Sequence, residues 1–130
     1  MELLTVKDLF SGVSHDKGHW KNKYKDKYVY VKGYYYNRYL YNSHEEIINQ
    51  DSIAMHKIEI MEWTTPLVTR ILHRNHLEYA DIRLICMVTY RPRISLENIL
   101  RVELLDNNGN IVDIEKVGES SIPKELRGKI

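Results

Sequence analysis

Cysteine is almost absent from this 130-residue chain: Cys86 stands alone. An internal disulfide is therefore excluded, and its place inside an apolar run predicts a thiol that packs as a small hydrophobe. Three prolines and six glycines are too few for a Pro-rich linker or a Gly/Ser low-complexity tract. With one phenylalanine and two tryptophans, tyrosine carries most of the aromatic character. Net charge is nearly missing too. Nineteen Lys and Arg against 18 Asp and Glu leave +1, so the molecule as a whole is not a uniformly basic nucleic-acid binder. No apolar stretch approaches the roughly 20 residues of a membrane helix, and the opening residues lack a basic-then-apolar leader. These absences predict a cytoplasmic protein with no membrane partner. At this length one domain with one core is expected, covering residues 1–117, followed by a loose polar tail, 118–130.

Motifs for chemistry are also lacking. No phosphate-binding loop, dinucleotide fingerprint or nucleophile elbow occurs. Ser14, His15 and Asp16 are contiguous and cannot converge as a catalytic triad. His15, Asp16 and His19 form one small cluster, and His73 and His76 sit at i, i+3. Zinc needs three or four ligands at compatible geometry, no further ligand is obvious beside either group, and solvated surface histidines are the better reading. The expectation is a non-enzyme without metal or cofactor.

Tyrosine is what the sequence has. Eight of its ten tyrosines fall between Tyr24 and Tyr41, among Lys21, Lys23, Lys25, Lys27, Lys32 and Arg38. Charge is uneven in step. Lys17 to Arg38 holds seven basic residues and one acid, Asp26. Glu45 to Glu62 holds five acids and one base, Lys57. Flat π-faces beside mobile cations on a β surface can stack bases and hold phosphates. The same tyrosines also suit an ordinary strand, and an AT-rich coding sequence enriches both residue types.

Periodicity gives an order of elements. Met1 to Gly12 reads as a short helix capped by Thr5 and ended by Gly12. It would bury Leu3, Leu4, Leu9 and Phe10. Val13 to Lys25 reads as a long basic loop. Lys27 to Tyr36 is a strand with Val29 and Val31 inward, and Gly33 suggests a bulge or sharp coil that would reverse the facing beyond it. Arg38 to Tyr41 begins a return strand, and Ser43 and Glu46 fit a capping box for a short helix within 43–53. His56 to Trp63 is a strand with Ile58 and Ile60 on one face. Thr64 or Thr65 before Pro66 opens a helix to about Leu77 with Leu67, Val68, Ile71 and Leu72 as its apolar stripe. Asp81 to Tyr90 is a buried strand ended by Pro92. Ile99 to Leu105 and Ile111 to Val117 form a hairpin across Asn107-Asn108-Gly109. The expected core includes Val29, Val31, Ile58, Ile60, Leu72, Leu84, Cys86, Val88 and Val102.

This order resembles the OB-fold nucleic-acid-binding domains of replication protein A and archaeal single-strand-binding proteins. V-Y-V-K-G-Y-Y-Y is similar to the long coiled first strand, T-P-L-V-T-R-I-L-H-R-N-H-L to the helix that plugs the barrel end, and D-I-R-L-I-C-M-V-T-Y to the fourth strand. The lead-in T-V-K-D-L-F-S-G is similar as well. The resemblance implies an all-β fold with minor α. It would be a five- to six-stranded Greek-key barrel with one helix between strands 3 and 4 and a short N-terminal helix. It also implies single-stranded DNA or RNA binding across strands 2 and 3, at Tyr39, Tyr41, Lys57, Met61 and Trp63, extended by Lys27, Tyr28, Tyr30, Lys32 and Arg38. Tyr28, Tyr30 and Tyr41 are expected to present their rings to solvent. The alternative is a viral or accessory interaction module whose tyrosine surface meets another protein or a second copy. Trp20 either stacks on a ligand or closes the barrel bottom, and Arg91, Arg93 and Arg101 either touch phosphate or are solvated.

Overall fold

The computed structural model describes residues 1–48, 56–63, 66–91 and 93–130. The elements in order are β1 (Leu3–Thr5), α1 (Val6–Ser11), β2 (Val13–Asp16), β3 (His19–Asn22), β4 (Tyr28–Tyr36), β5 (Tyr39–Tyr41), α2 (His44–Ile48), β6 (Lys57–Ile60), α3 (Leu67–Arg74), β7 (Tyr79–Tyr90), β8 (Ile94–Leu105) and β9 (Ile111–Lys116). Two single 3-10 turns follow, Glu119–Ser121 and Lys124–Leu126.

Five strands close a barrel in the order β4–β5–β6–β8–β7 and back to β4. All the joins are antiparallel except β6 with β8, which is parallel. The barrel closes because β4 is long enough to serve several neighbours. One edge pairs with β7 from Tyr28 to Tyr36. The other edge is divided: Tyr30 to Lys32 pair with β1, and Tyr34 to Tyr36 with β5. Gly33 lies where the edge changes partner. A side chain there would meet Leu40 and the Tyr41 carbonyl at 2.6 Å, so only glycine lets β5 approach so closely. The register across Gly33 is continuous. The expected bulge is not there, and the alternation of facing carries straight through: Val29, Val31 and Tyr35 point inward.

The interior is filled by residues that period two assigns to it. Every expected core position is buried, and Val31, Ile58, Leu84, Cys86, Val88 and Val102 are fully so. Burial pushes the Cys86 thiol pKa well up, which keeps it neutral. Helix α3 contributes Leu67, Val68, Ile71 and Leu72 and lies against β8 and β9. Thr64 and Thr65 lie outside the described residues. The start of α3 is held by Glu62, whose carboxylate accepts from the Val68 amide at 2.6 Å and the Thr69 hydroxyl at 2.8 Å. At its other end Arg74 bridges Asp113 at 3.0 Å and Glu115 at 2.5 Å on β9. Thr5 and Asp8 make a reciprocal capping box at α1, which satisfies two free amides. Leu4 and Leu9 are buried, whereas Leu3 is exposed.

Several expectations are corrected. Residues 13–25 are largely a β hairpin, β2 with β3, because Lys17 and Gly18 take positive φ and turn the chain in two residues. Strand β8 begins at Ile94, not Ile99. Asn98 adopts a positive φ, and the pairing with β7 shifts register between Ile85 and Met87, an irregularity that periodicity alone hides. The tail is not loose. Ile122 and Leu126 are buried against Ile85 and Leu100 on the barrel's outer surface. Strand β6 and helix α3 are each shorter than expected. Helix α2 ends the described part of 43–53, and Pro92 also lies outside the described residues.

Candidate nucleic-acid interface

Outward positions on neighbouring strands are fixed by register. Tyr36 faces Tyr39 on β5 and Tyr79 on β7. Tyr34 faces Tyr41, and Tyr41 faces Lys57 on β6. Because Tyr35 and Leu40 point into the core, their even and odd neighbours must point out. The result is one face with tyrosines on three strands, β4, β5 and β7, and Lys57 on β6. Ring centroids lie 6.1 Å apart for Tyr34 and Tyr79, 6.4 Å for Tyr36 and Tyr79, and 6.4 Å for Tyr39 and Tyr41. His44, at the start of α2, adds a fourth close pair, 4.7 Å from Tyr34. The Lys57 ammonium sits over the Tyr39 ring at 4.7 Å, a cation–π geometry.

Exposure across this face is graded. Tyr79 is 53% exposed and Tyr36 is 42% exposed. Tyr39 is half-buried, and Tyr34 and Tyr41 are buried. The two outer rings are therefore available for stacking, and the buried pair forms their floor. Burial raises the phenol pKa of both Tyr34 and Tyr41. Arg38 is exposed at the β4–β5 turn, where Asn37 and Arg38 both take positive φ. Lys32 is exposed two residues from Tyr34. Two acids share the surface: Glu59 opposite Tyr39, and Asp81 opposite Tyr34.

The residues expected to form a single surface separate into groups. Tyr39, Tyr41 and Lys57 belong to the tyrosine face, with Arg38 at its rim. Tyr41 is buried rather than presented to solvent, because α2 and the neighbouring rings cover that end of β5. Tyr28 and Tyr30 lie farther along β4, half-buried against the Ile122 and Leu126 cluster. They are not a free stacking pair. The Tyr30 hydroxyl is hydrogen-bonded to Glu103, a carboxylate only 4% exposed that Arg101 holds at 3.0 Å and Arg83 at 3.9 Å. Desolvation and that carboxylate both raise the Tyr30 pKa. Trp63 is 73% exposed and lines a different groove of about 300 Å³ with Tyr28, Met61, Asn98 and Leu100. Lys27 is exposed at the foot of β4.

Tyr34, Tyr36, His44 and Tyr79 were missed from the sequence. Unbroken alternation from Val29 would have pointed Tyr34 and Tyr36 outward, and the expected bulge obscured it. Tyr79 was missed because β7 begins two residues before Asp81. Among the described residues no three or more His, Cys, Asp or Glu side chains gather as a metal site, and no helix is long and apolar enough to cross a membrane.

No protein family, curated protein or solved structure matches the chain.

Proposed function

We propose that this chain is an OB-fold-like barrel that binds single-stranded nucleic acid across its tyrosine face, without enzymatic chemistry. The barrel reading is supported by the strand pairing. The first barrel strand β4 meets the second and fourth, the third joins the fifth in parallel, and α3 falls between the third and fourth, as in the OB arrangement. The binding reading rests on one observation: Tyr36 and Tyr79 expose their rings beside half-buried Tyr39 on a floor of Tyr34 and Tyr41, with Lys57, Arg38 and Lys32 around them. Exposed rings stack bases of any identity at about 1–3 kcal/mol each, and the cations hold the backbone. Duplex DNA binds worse, because its bases are already stacked.

The second reading, a viral or accessory protein-interaction surface, is favoured by Glu59 and Asp81. Carboxylates beside the tyrosines repel phosphate but suit a mixed protein partner. Salt separates the readings. A labelled oligo-dT and an oligo-U titrated at two salt concentrations should bind with an affinity that falls log-linearly with salt. Tyr79→Ala should weaken binding by about 1–3 kcal/mol, and Lys57→Ala should lower the salt slope by roughly 0.7. If neither oligonucleotide binds at micromolar concentration, the nucleic-acid reading is wrong. Self-association by light scattering then tests the protein surface.

A further inference from the structure

The β2–β3 hairpin lies outside the barrel, and nothing in the barrel's closure requires a tryptophan on it. Trp20 nonetheless stands 62% exposed. It faces His15 across the hairpin, and the two rings meet edge-on at 4.8 Å, which fixes the indole without covering it. An indole joins an apolar ring to a polar tip, a combination enriched at interfaces.

A groove of about 440 Å³ opens beside it, lined by Trp20, Lys21, Asn22, Lys25, Tyr90 and Arg91. Three cations line it, with no carboxylate among the described lining residues. None of the three is held in an ion pair among the described residues. Hydrogen bonds anchor its base. Asn22 is buried, accepting from the Tyr24 amide at 2.8 Å and donating to the Leu9 carbonyl at 3.4 Å. The Lys23 amide donates to the Gly12 carbonyl, and the Asp26 amide to the Val88 carbonyl. Tyr90 is itself part of the core. The hairpin is therefore tied to α1 and to β7 at its base.

We propose that this groove holds one nucleotide unit, its base stacked on Trp20 and its phosphate held by Lys21, Lys25 and Arg91. A flat apolar wall bordered by unpaired cations matches a base joined to a phosphate. A neutral sugar has no use for the charge, and a run of Asp and Glu has no flat ring to lay on the indole. The unit can be a free nucleotide or one residue of a single strand. The assignment stands on the hairpin and does not depend on the tyrosine face.

The test uses the full chain with Trp63→Phe, so that Trp20 is the remaining indole. Adenosine 5′-monophosphate, tripolyphosphate and a labelled oligo-dT are titrated while Trp20 emission and oligonucleotide anisotropy are followed. Trp20 emission should be quenched by the mononucleotide if the source is a free nucleotide, or by oligo-dT alone if it is a strand. Tripolyphosphate should compete without quenching. Trp20→Ala should weaken the quenching ligand about tenfold, read by competition against the label or by equilibrium dialysis, and Lys25→Ala and Arg91→Ala should each flatten its salt dependence. These side chains are exposed, and circular dichroism checks that each variant folds. Silence of Trp20 toward both the mononucleotide and oligo-dT overturns the proposal, including when anisotropy shows oligo-dT bound elsewhere. Quenching by the mononucleotide with no oligonucleotide binding upholds it while refuting the tyrosine-face reading.

Discussion

Gly33→Ala is the sharpest test of the barrel. Glycine at this point in a strand normally weakens it, and alanine would ordinarily recover about 0.4–1 kcal/mol by restricting the unfolded chain. Here the added methyl lies 2.6 Å from the Leu40 side chain and 2.6 Å from the Tyr41 carbonyl oxygen, where ordinary contact begins near 3.4 Å. Both neighbours must retreat by about 0.8 Å. Leu40 is fully buried, and the carbonyl belongs to a three-residue strand held on both sides, so neither moves freely. Overpacking of this kind costs about 1–3 kcal/mol, which exceeds the entropic gain. At roughly 2.1 cal/mol/K per residue of unfolding entropy, a net loss of about 1.3 kcal/mol lowers Tm by about 5 °C. Gly118→Ala is the control, since a methyl there meets nothing within 4 Å, and its Tm should stay within about 2 °C. Thermal melts followed by circular dichroism read both. A Gly33→Ala protein with unchanged or higher Tm would show that β5 does not cross β4 at this residue, and the closure described above would be wrong.

Leu84→Ala should cost about 2–5 kcal/mol in urea unfolding, the range for a packed core leucine, because Leu84 is fully buried between Val31 and Val102 in the sheet register. An unchanged midpoint would mean that β7 faces the other way. Leu126→Ala should lower stability by about 2 kcal/mol, the lower part of the same range, and increase protease cleavage within 118–130; equal protease resistance would refute the docked tail. Hydrogen bonds from Arg74, and next from Asn75, hold Asp113 at about 2 instead of 3.8. The stabilisation from this carboxylate is complete above its unfolded value and fades as pH falls from about 4 through about 2. Asp113→Asn should therefore lose stability at neutral pH and show a shallower decline between pH 4 and 2 than the parent. A parallel decline would mean that this bond is not formed in solution.

The barrel strands were legible because each alternates. Val29 and Val31, Ile58 and Ile60, and Leu84, Cys86 and Val88 each mark an inward face without reference to the rest of the chain. The β9 hairpin was legible from Asn108-Gly109, where Gly109 does take a positive φ. The site was harder to read. Which tyrosines share a face depends on register between strands, and Tyr79 comes within reach of Tyr36 only because β4 and β7 pair at their far ends. Burial of Tyr41 depends on neighbouring rings. The cover over Tyr28 and Tyr30 depends on Ile122 and Leu126 returning from the end of the chain. Pairings at such sequence separations leave no local periodicity. The β2–β3 hairpin was missed for the opposite reason: its outward residues are nearly all polar, so neither strand shows an apolar alternation.

The lone cysteine gives the molecule a built-in clock. Cys86 is sealed at the seam where β7 meets β4, directly across from Val29, and a neutral, enclosed thiol does not react. A small alkylating reagent reaches it only when the barrel parts along that seam, so the labelling rate is that of a free thiol multiplied by the fraction of time spent open. For a domain with about 7 kcal/mol of stability that is a slowing of about 10⁵-fold. Because no second thiol competes, the modification of one sulfur over hours reports the fraction of time that seam stands open, under native conditions and without denaturant.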